Sequence, residues 1–135
     1  MTQQEKHLLL KDLSARLPYG VKFGIGSGKL GSYNLVEINA QKEKILYGAK
    51  LYIDLDICKP YLRPMSSMTE EEQKEFDEFC VIDEDAWMDK GISGYVNQAE
   101  IMSKGVDWLN NHNFDYRGLI KKGLAVEAPK DMYNK

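Results

Sequence analysis

The sequence predicts one α+β domain spanning residues 1–135. It has an N-terminal helix, a three-stranded antiparallel meander free to curl toward a small barrel, and C-terminal helices packed on the sheet. Three observations predict it. Helix-capping signals stand at Thr2 and Thr69, the hydrophobic period drops to two at Val21, and helical spacing returns after Asn97. A chain of 135 residues, 43% of them hydrophobic, buries roughly two thirds of its unfolded surface, enough for a core without disulfides or metal.

Thr2 and Glu5 form a capping box, each side chain satisfying a backbone amide left orphaned at a helix start. The helix runs from about Gln3 to Arg16, with Leu10, Leu13 and Leu17 as its apolar stripe and Lys11 and Asp12 outside. Pro18 and Gly20 end it. Val21, Phe23 and Ile25 then alternate with Lys22 and Gly24, as a strand with one buried face does. The glycines from Gly26 to Gly31 turn the chain into a second alternating run. There Tyr33, Leu35, Glu37 and Asn39 share one face. After a polar turn at Lys42–Lys44, a third run, Ile45 to Ile57, sets Leu51, Ile53, Leu55 and Ile57 against Lys50, Tyr52, Asp54 and Asp56. Three sequential strands predict a meander.

Pro60 and Pro64 make KPYLRP an extended connector. Thr69 and Glu72 repeat the capping box, placing a second helix at about Glu70–Phe79 with Phe76 and Phe79 inward. Val81 to Tyr95 reads as a loop, or as a short strand around Cys80 to Ile82. A third helix fits Asn97–Asn110, where Ala99, Met102, Val106 and Leu109 line one face. Gly105 weakens that helix by about 1 kcal/mol relative to Ala. Asp115 is placed to cap a short helix through Lys122, with Gly123 as its left-handed stop. The tail from Ala125 is expected to be partly ordered.

Net charge is −3 and the sequence pI about 5.4, so no general field draws the chain to nucleic acid or anionic lipid. The charge is unevenly spread. Residues 69–89 carry −9, residues 1–68 carry +4 and residues 90–135 carry +2. The acidic segment suits a basic partner, although a solvated helix face has the same composition. No apolar run approaches the roughly 20 residues that span a bilayer, and MTQQEKHLLLKDL has too short an apolar centre for a secretion signal. A cytoplasmic protein without a membrane partner is expected. Cys58 and Cys80 lie outside any CxxC pair, so both read as free thiols.

Motifs that carry chemistry elsewhere break on inspection. Gly26, Gly28 and Gly31 match the GxGxxG spacing of dinucleotide folds, but SYNLVEINA after them alternates with period two where a phosphate-holding helix is required. A P-loop is rejected, because Leu30 follows Lys29 and Phe23 fills the first glycine position. Asp83, Asp85 and Asp89 suggest a calcium loop until Trp87 replaces a ligand and Met88 the turn glycine. His7, His112, Cys58 and Cys80 include no pair at ligand spacing, so no metal and no cofactor is expected. Asp54 and Asp56 share a strand face, which suits paired carboxylates or simply an exposed edge. In WLNNHNFDYRGLIKK, Trp108, His112, Phe114 and Tyr116 interleave with Arg117, Lys121 and Lys122. That pattern serves single-strand binding, but Trp108, Phe114, Leu119 and Ile120 serve equally as anchors of a core.

The strings LPYGVKFGI (17–25), KPYLRPMSSMTEEE (59–72) and DWLNNHNFDYRGLIKKGLAVEAPKDMY (107–133) resemble a family of small proteins of gut Bacteroidales, borne on prophages and other mobile elements. The resemblance implies context, an accessory intracellular protein, and carries over no catalytic or binding residue. The leading functional expectation is a non-enzymatic protein-binding or adaptor module. A nucleic-acid-associated module using Tyr61, Arg63, Trp108, Tyr116, Arg117, Lys121 and Lys122 is the alternative, and these seven are the candidate binding residues. A small nucleotide-binding enzyme built on the Gly26–Gly31 loop with Asp54 or Asp56 is the third.

Overall fold

The structure, a computed structural model, describes residues 1–26, 31–47, 51–80 and 92–133. Three α-helices and six strands are described: α1 (Gln3–Arg16), β1 (Lys22–Ile25), β2 (Tyr33–Asn39), β3 (Lys44–Tyr47), β4 (Leu51–Asp54), β5 (Cys58–Leu62), α2 (Glu70–Phe79), α3 (Ile92–Asn111) and β6 (Val126–Glu127). The α+β class is as the sequence predicts. The sheet is larger than predicted, an open six-stranded layer in the order β4-β3-β2-β1-β5-β6 with no closure into a barrel. All pairings are antiparallel except β5 with β6.

Both capping boxes form. Glu5 N donates to Thr2 Oγ1 at 3.1 Å and Thr2 N to Glu5 Oε1 at 2.9 Å. Glu72 N donates to Thr69 Oγ1, and Thr69 N to Glu72 Oε1, both at 3.1 Å. The predicted third strand divides. Lys44–Tyr47 and Leu51–Asp54 pair with each other as a hairpin, and Leu55–Ile57 tightens into a 3-10 turn that buries Leu55 and leaves Ile57 exposed. In β2 a bulge between Leu35 and Glu37 interrupts the alternation. Leu35 and Ile38 therefore both pack in the core while Val36 is 52% exposed, because an extra residue resets which face each later side chain takes.

The segment expected to be a connector is strand β5. Pro60 stands opposite Phe23 of β1, and β6 joins the other side of β5 only from Tyr61 onward. A proline is tolerated there because that part of β5 has a neighbour on one side. The tail is held by more than β6. Tyr133 accepts from Lys22 N at 2.9 Å and donates to Tyr61 O at 2.7 Å, fastening the last described turn across β1 and β5. Burial pushes its phenol up to about 12, so the donor proton is retained.

The core has two clusters. The larger lies between the sheet and α1, with Leu9, Leu13, Phe23, Ile45, Leu55 and Leu62 among its buried members and Leu119, Leu124 and Ala125 closing it. The smaller holds Trp108, Leu109 and Phe114, with Phe76, Met68 and Tyr116 packed on them. Residues 116–122, predicted as a short helix, form turns instead. Asp115 still caps them, its Oδ1 accepting from Leu119 N at 2.8 Å and its Oδ2 from Ile120 N at 3.0 Å, and Gly123 takes φ 76°. The calcium-like pattern, the proposed strand around Cys80–Ile82 beyond Cys80 itself, and Gly28 lie outside the described residues.

Candidate functional site

Four of the seven candidate residues meet where the sheet joins α3. The Arg63 guanidinium lies 4.2 Å above the Phe114 ring and grips Glu72 with two 2.7 Å hydrogen bonds. Its hydrogen bonds hold the Glu72 carboxyl down at about 2, with the Thr69 backbone amide assisting. Trp108 is 3% exposed, stacked against Phe114 and His112, and its Nε1 donates to Glu75 Oε1 at 3.1 Å. Tyr116 lies between the Arg16 and Arg117 guanidiniums at 5.3 and 5.0 Å and donates to Asn110 Oδ1 at 2.8 Å. Tyr61 lies apart, donating to the carbonyl of Gly31. Lys121 and Lys122 stand exposed on the turn beyond.

Beneath Tyr116 is a feature that runs against the sequence reading. Asp12, expected outside, is fully buried, as is Arg16. Arg16 Nε and Nη2 reach Asp12 at 2.8 and 3.2 Å, and Nη2 also donates to Phe114 O at 2.6 Å. Arg117 Nε approaches Asp12 Oδ1 at 3.2 Å but off the hydrogen-bonding direction, so it contributes charge without a hydrogen bond. One buried carboxylate thus serves two guanidiniums. The signal was present in the sequence, because Asp12 and Arg16 each follow a core leucine, Leu9 and Leu13, by three residues and share its face.

A groove of about 600 Å³ opens beside this junction, lined by Arg63, Thr69, Glu72, His112, Lys130 and Tyr133 among others. His112 is its one imidazole among the described residues. A carbonyl can only accept, so the 2.9 Å contact from His112 Nδ1 to Trp108 O fixes the proton on Nδ1 in the neutral ring and leaves Nε2 as the acceptor. No group of three His, Cys, Asp or Glu among the described residues is placed to hold a metal ion. Burial raises both thiols, Cys58 to about 12 and Cys80 in the same direction, so neither is poised as a nucleophile.

The paired-carboxylate reading does not hold geometrically. Asp54 ends β4 and lies 3.7 Å from Lys44, while Asp56 belongs to the following 3-10 turn and lies 3.6 Å from Lys6. At the glycine loop, Gly26 and Gly31 take φ of 76° and 71°, and β2 begins at Tyr33, so no helix start follows to hold an anion.

The helical layer departs furthest from the sequence. Gly105 sits where α2 and α3 cross, and a Cβ added there would stand 2.7 Å from Cys80 Sγ. The buried face of α3 is accordingly that of Gly105, Trp108 and Leu109. Ala99, Met102 and Val106, predicted to face the core with Leu109, are exposed, and so is Phe79 of α2 at 51%. On α2, Glu70, Glu71, Lys74, Asp77 and Glu78 are also exposed. No family model, curated protein or solved structure matches the chain. No described helix is long and apolar enough to cross a membrane.

Proposed function

We propose that the chain is a non-enzymatic protein-binding module, an intracellular accessory of a mobile element, and that the acidic face of α2 meets a basic surface of its partner. The carrying observation is the way α2 is used. It turns Phe76 to Trp108 and commits Glu72 to Arg63, which leaves Glu70, Glu71 and Glu78 exposed and in no ion pair among the described residues. Unpaired acids on one face produce a negative field that raises encounter rates with basic partners and weakens with salt. Affinity purification from the native cell, with partners identified, is the test. The expected result is a basic protein retained by the wild type, lost in an E70K/E71K/E78K variant, and released by added salt. Retention unchanged by the reversal removes the reading.

A nucleic-acid-associated role is the second reading, supported by the exposure of Lys121 and Lys122, which enter no ion pair among the described residues. With Trp108 enclosed by its own core, that reading rests on phosphate contact rather than base stacking. Retention on single-stranded DNA or RNA at low salt, abolished by K121E/K122E, supports it; no retention at low salt removes it.

A further inference from the structure

One aromatic ring lies across the face of the sheet turned away from α1. Side chains alternate along β1 and β5, so Phe23, Cys58 and Leu62 enter the core while Lys22, Gly24, Lys59 and Tyr61 take the opposite face. Tyr61 donates to the carbonyl of Gly31, which leads into β2, and β1 lies between β5 and β2. Lys59 is opposite Gly24, and Phe23 is opposite Tyr33, so the path from Tyr61 to that carbonyl crosses β1 at Gly24. Gly24 is buried and Tyr61 half-buried, as a ring laid flat over a glycine requires. One face of the ring covers backbone and the other is left to solvent.

Lys22 and Lys59 stand on opposite sides of that path, about 8 Å apart by strand geometry, and neither strand carries an acid. Lys59 Nζ donates to Gly123 O at 3.1 Å, which brings it beside the exposed Lys121 and Lys122. On the side of Lys22 a cavity of about 290 Å³ opens, lined by Tyr19, Lys22, Asn34, Met132 and Tyr133 among others. Asn34 is exposed and is the partner of Lys22 in the β1–β2 register. Asp107, which lies against the Tyr19 hydroxyl, bounds the positive strip at the far side of the cavity.

We infer that this strip binds an unpaired nucleic-acid strand, one base stacked on Tyr61 and the next held in the cavity beside Asn34. Lys22 meets the phosphate between them, and Lys59, Lys121 and Lys122 meet the phosphates beyond. The strip extends the nucleic-acid reading above, on which it rests, and supplies the stacking surface that the enclosed Trp108 does not. A flat ring flanked by cations takes a base face and its phosphates together. The Asn34 amide offers donors and an acceptor to a base edge. An acidic protein surface would meet the lysines and leave ring and cavity unused. A duplex keeps its base faces stacked on one another, so it offers the ring nothing.

Fluorescence anisotropy with labelled 12-mers of dT and rU, and with a 12-base-pair DNA duplex, tests this. At low salt both single strands are expected to bind with a dissociation constant on the order of 10 µM, and the duplex about tenfold more weakly. The two strands bind alike, since ring and lysines meet bases and phosphates and leave the sugar untouched. Y61A weakens binding by about tenfold, while Y61F keeps the ring and keeps the affinity. K22E weakens binding by about tenfold and lowers the salt slope by about one. Circular dichroism checks folding, and K22E carries the test if Y61A does not fold, because Lys22 enters no ion pair among the described residues. A duplex bound as tightly as the single strands overturns the inference, and so does a folded Y61A or a K22E that binds like the wild type. Binding lost in K121E/K122E but indifferent to Y61A and K22E strikes the strip and leaves the reading from Lys121 and Lys122 standing. No binding of either strand at low salt removes both.

Discussion

The two hydrophobic clusters differ in how fully they are enclosed. Around the sheet, α1 and the closing turns bury every large side chain that defines the cluster, with Leu9, Leu13, Phe23, Ile45, Leu62 and Leu119 all at 0% exposure. Around Trp108, two helices bury three side chains and leave Phe79, Val96, Met102 and Val106 in water. The first region encloses its core completely and holds the fold together, while its outer face and hairpin leave Tyr33, Val36, Leu51, Tyr52 and Ile57 exposed. The second keeps part of its apolar surface and most of the unpaired acid outside, where another molecule can use them. The two regions thus differ in how much apolar surface and unpaired acid folding leaves exposed beside the core.

The largest expected effect breaks the weld between the regions. Arg16 grips Asp12 on its own helix and the Phe114 carbonyl in the other cluster, and both side chains are fully buried. Removing one partner strands a charge in low dielectric, so Asp12→Ala is expected to cost about 3–5 kcal/mol in urea unfolding. Replacing both at once, as D12L/R16M, is expected to recover part of that loss, because Arg16 no longer strands a charge, while Arg117, whose side chain is 20% exposed, loses its carboxylate and must turn to water. A loss under about 1 kcal/mol for Asp12→Ala contradicts the idea that the pair joins the clusters.

Gly105 sharpens the comparison from the other side. A methyl group there meets Cys80 Sγ at 2.7 Å, so Gly105→Ala is expected to destabilise by about 1–3 kcal/mol despite alanine's better helix propensity. C80A in the same background is expected to relieve most of it. Without the close helix crossing, Gly105→Ala stabilises instead, by about 1 kcal/mol, and the sign alone decides.

What was legible in the sequence follows the same division. α1, α2 and both capping boxes could be read because a cap is a local contract between residues three apart. The order of the first strands was legible for the same reason. The β2 bulge shows in the sequence only as the adjacent apolar pair Leu35 and Val36, which breaks the alternation without saying which of the two faces the core; the partner strand's register decides it. β5 read as a connector because Pro60 argues against a strand until the neighbour on its other side is known to start at Tyr61. For α3 periodicity found the helix and assigned the wrong face. Spacing reports that a stripe exists and is silent on which stripe the fold itself buries, and a glycine that reads as a local weakness decided it. Of the candidate residues, Arg63, Trp108, Tyr116 and Arg117 meet at the junction, with Trp108 enclosed in the core, and the carboxylate beneath them, Asp12, is remote in sequence and was expected outside.

The Arg63–Glu72 pair gives a smaller, pH-dependent effect confined to the helical region. Its carboxyl is held at about 2 when folded, below the ordinary glutamate value of 4.5. A depressed folded value means the stabilisation is fully present above pH 4.5 and is lost as pH falls toward 2. Because the pair is partly open to solvent, the loss is expected to be about 1 kcal/mol. Glu72→Gln is expected to flatten this part of the stability profile and to loosen the start of α2, where the same carboxylate also accepts from Thr69 N. An unchanged acid profile in that variant assigns the acid sensitivity to other carboxylates.

The smallest expected effect is the most discriminating between the two regions. Met102 lies in the stripe that sequence periodicity assigns to the core, and a core methionine cut back to a small side chain costs about 2–5 kcal/mol. At 71% exposure it has little burial to lose, so Met102→Ser is expected to change monomer stability by no more than about 0.5 kcal/mol. The measurement belongs at low micromolar concentration, where self-association contributes nothing to the unfolding midpoint. A large loss under those conditions means that the stripe is covered within the monomer, and the helical region is then as self-enclosed as the sheet. A negligible loss leaves an apolar face that folding does not need, since exposed apolar area gains free energy only when something removes it from water.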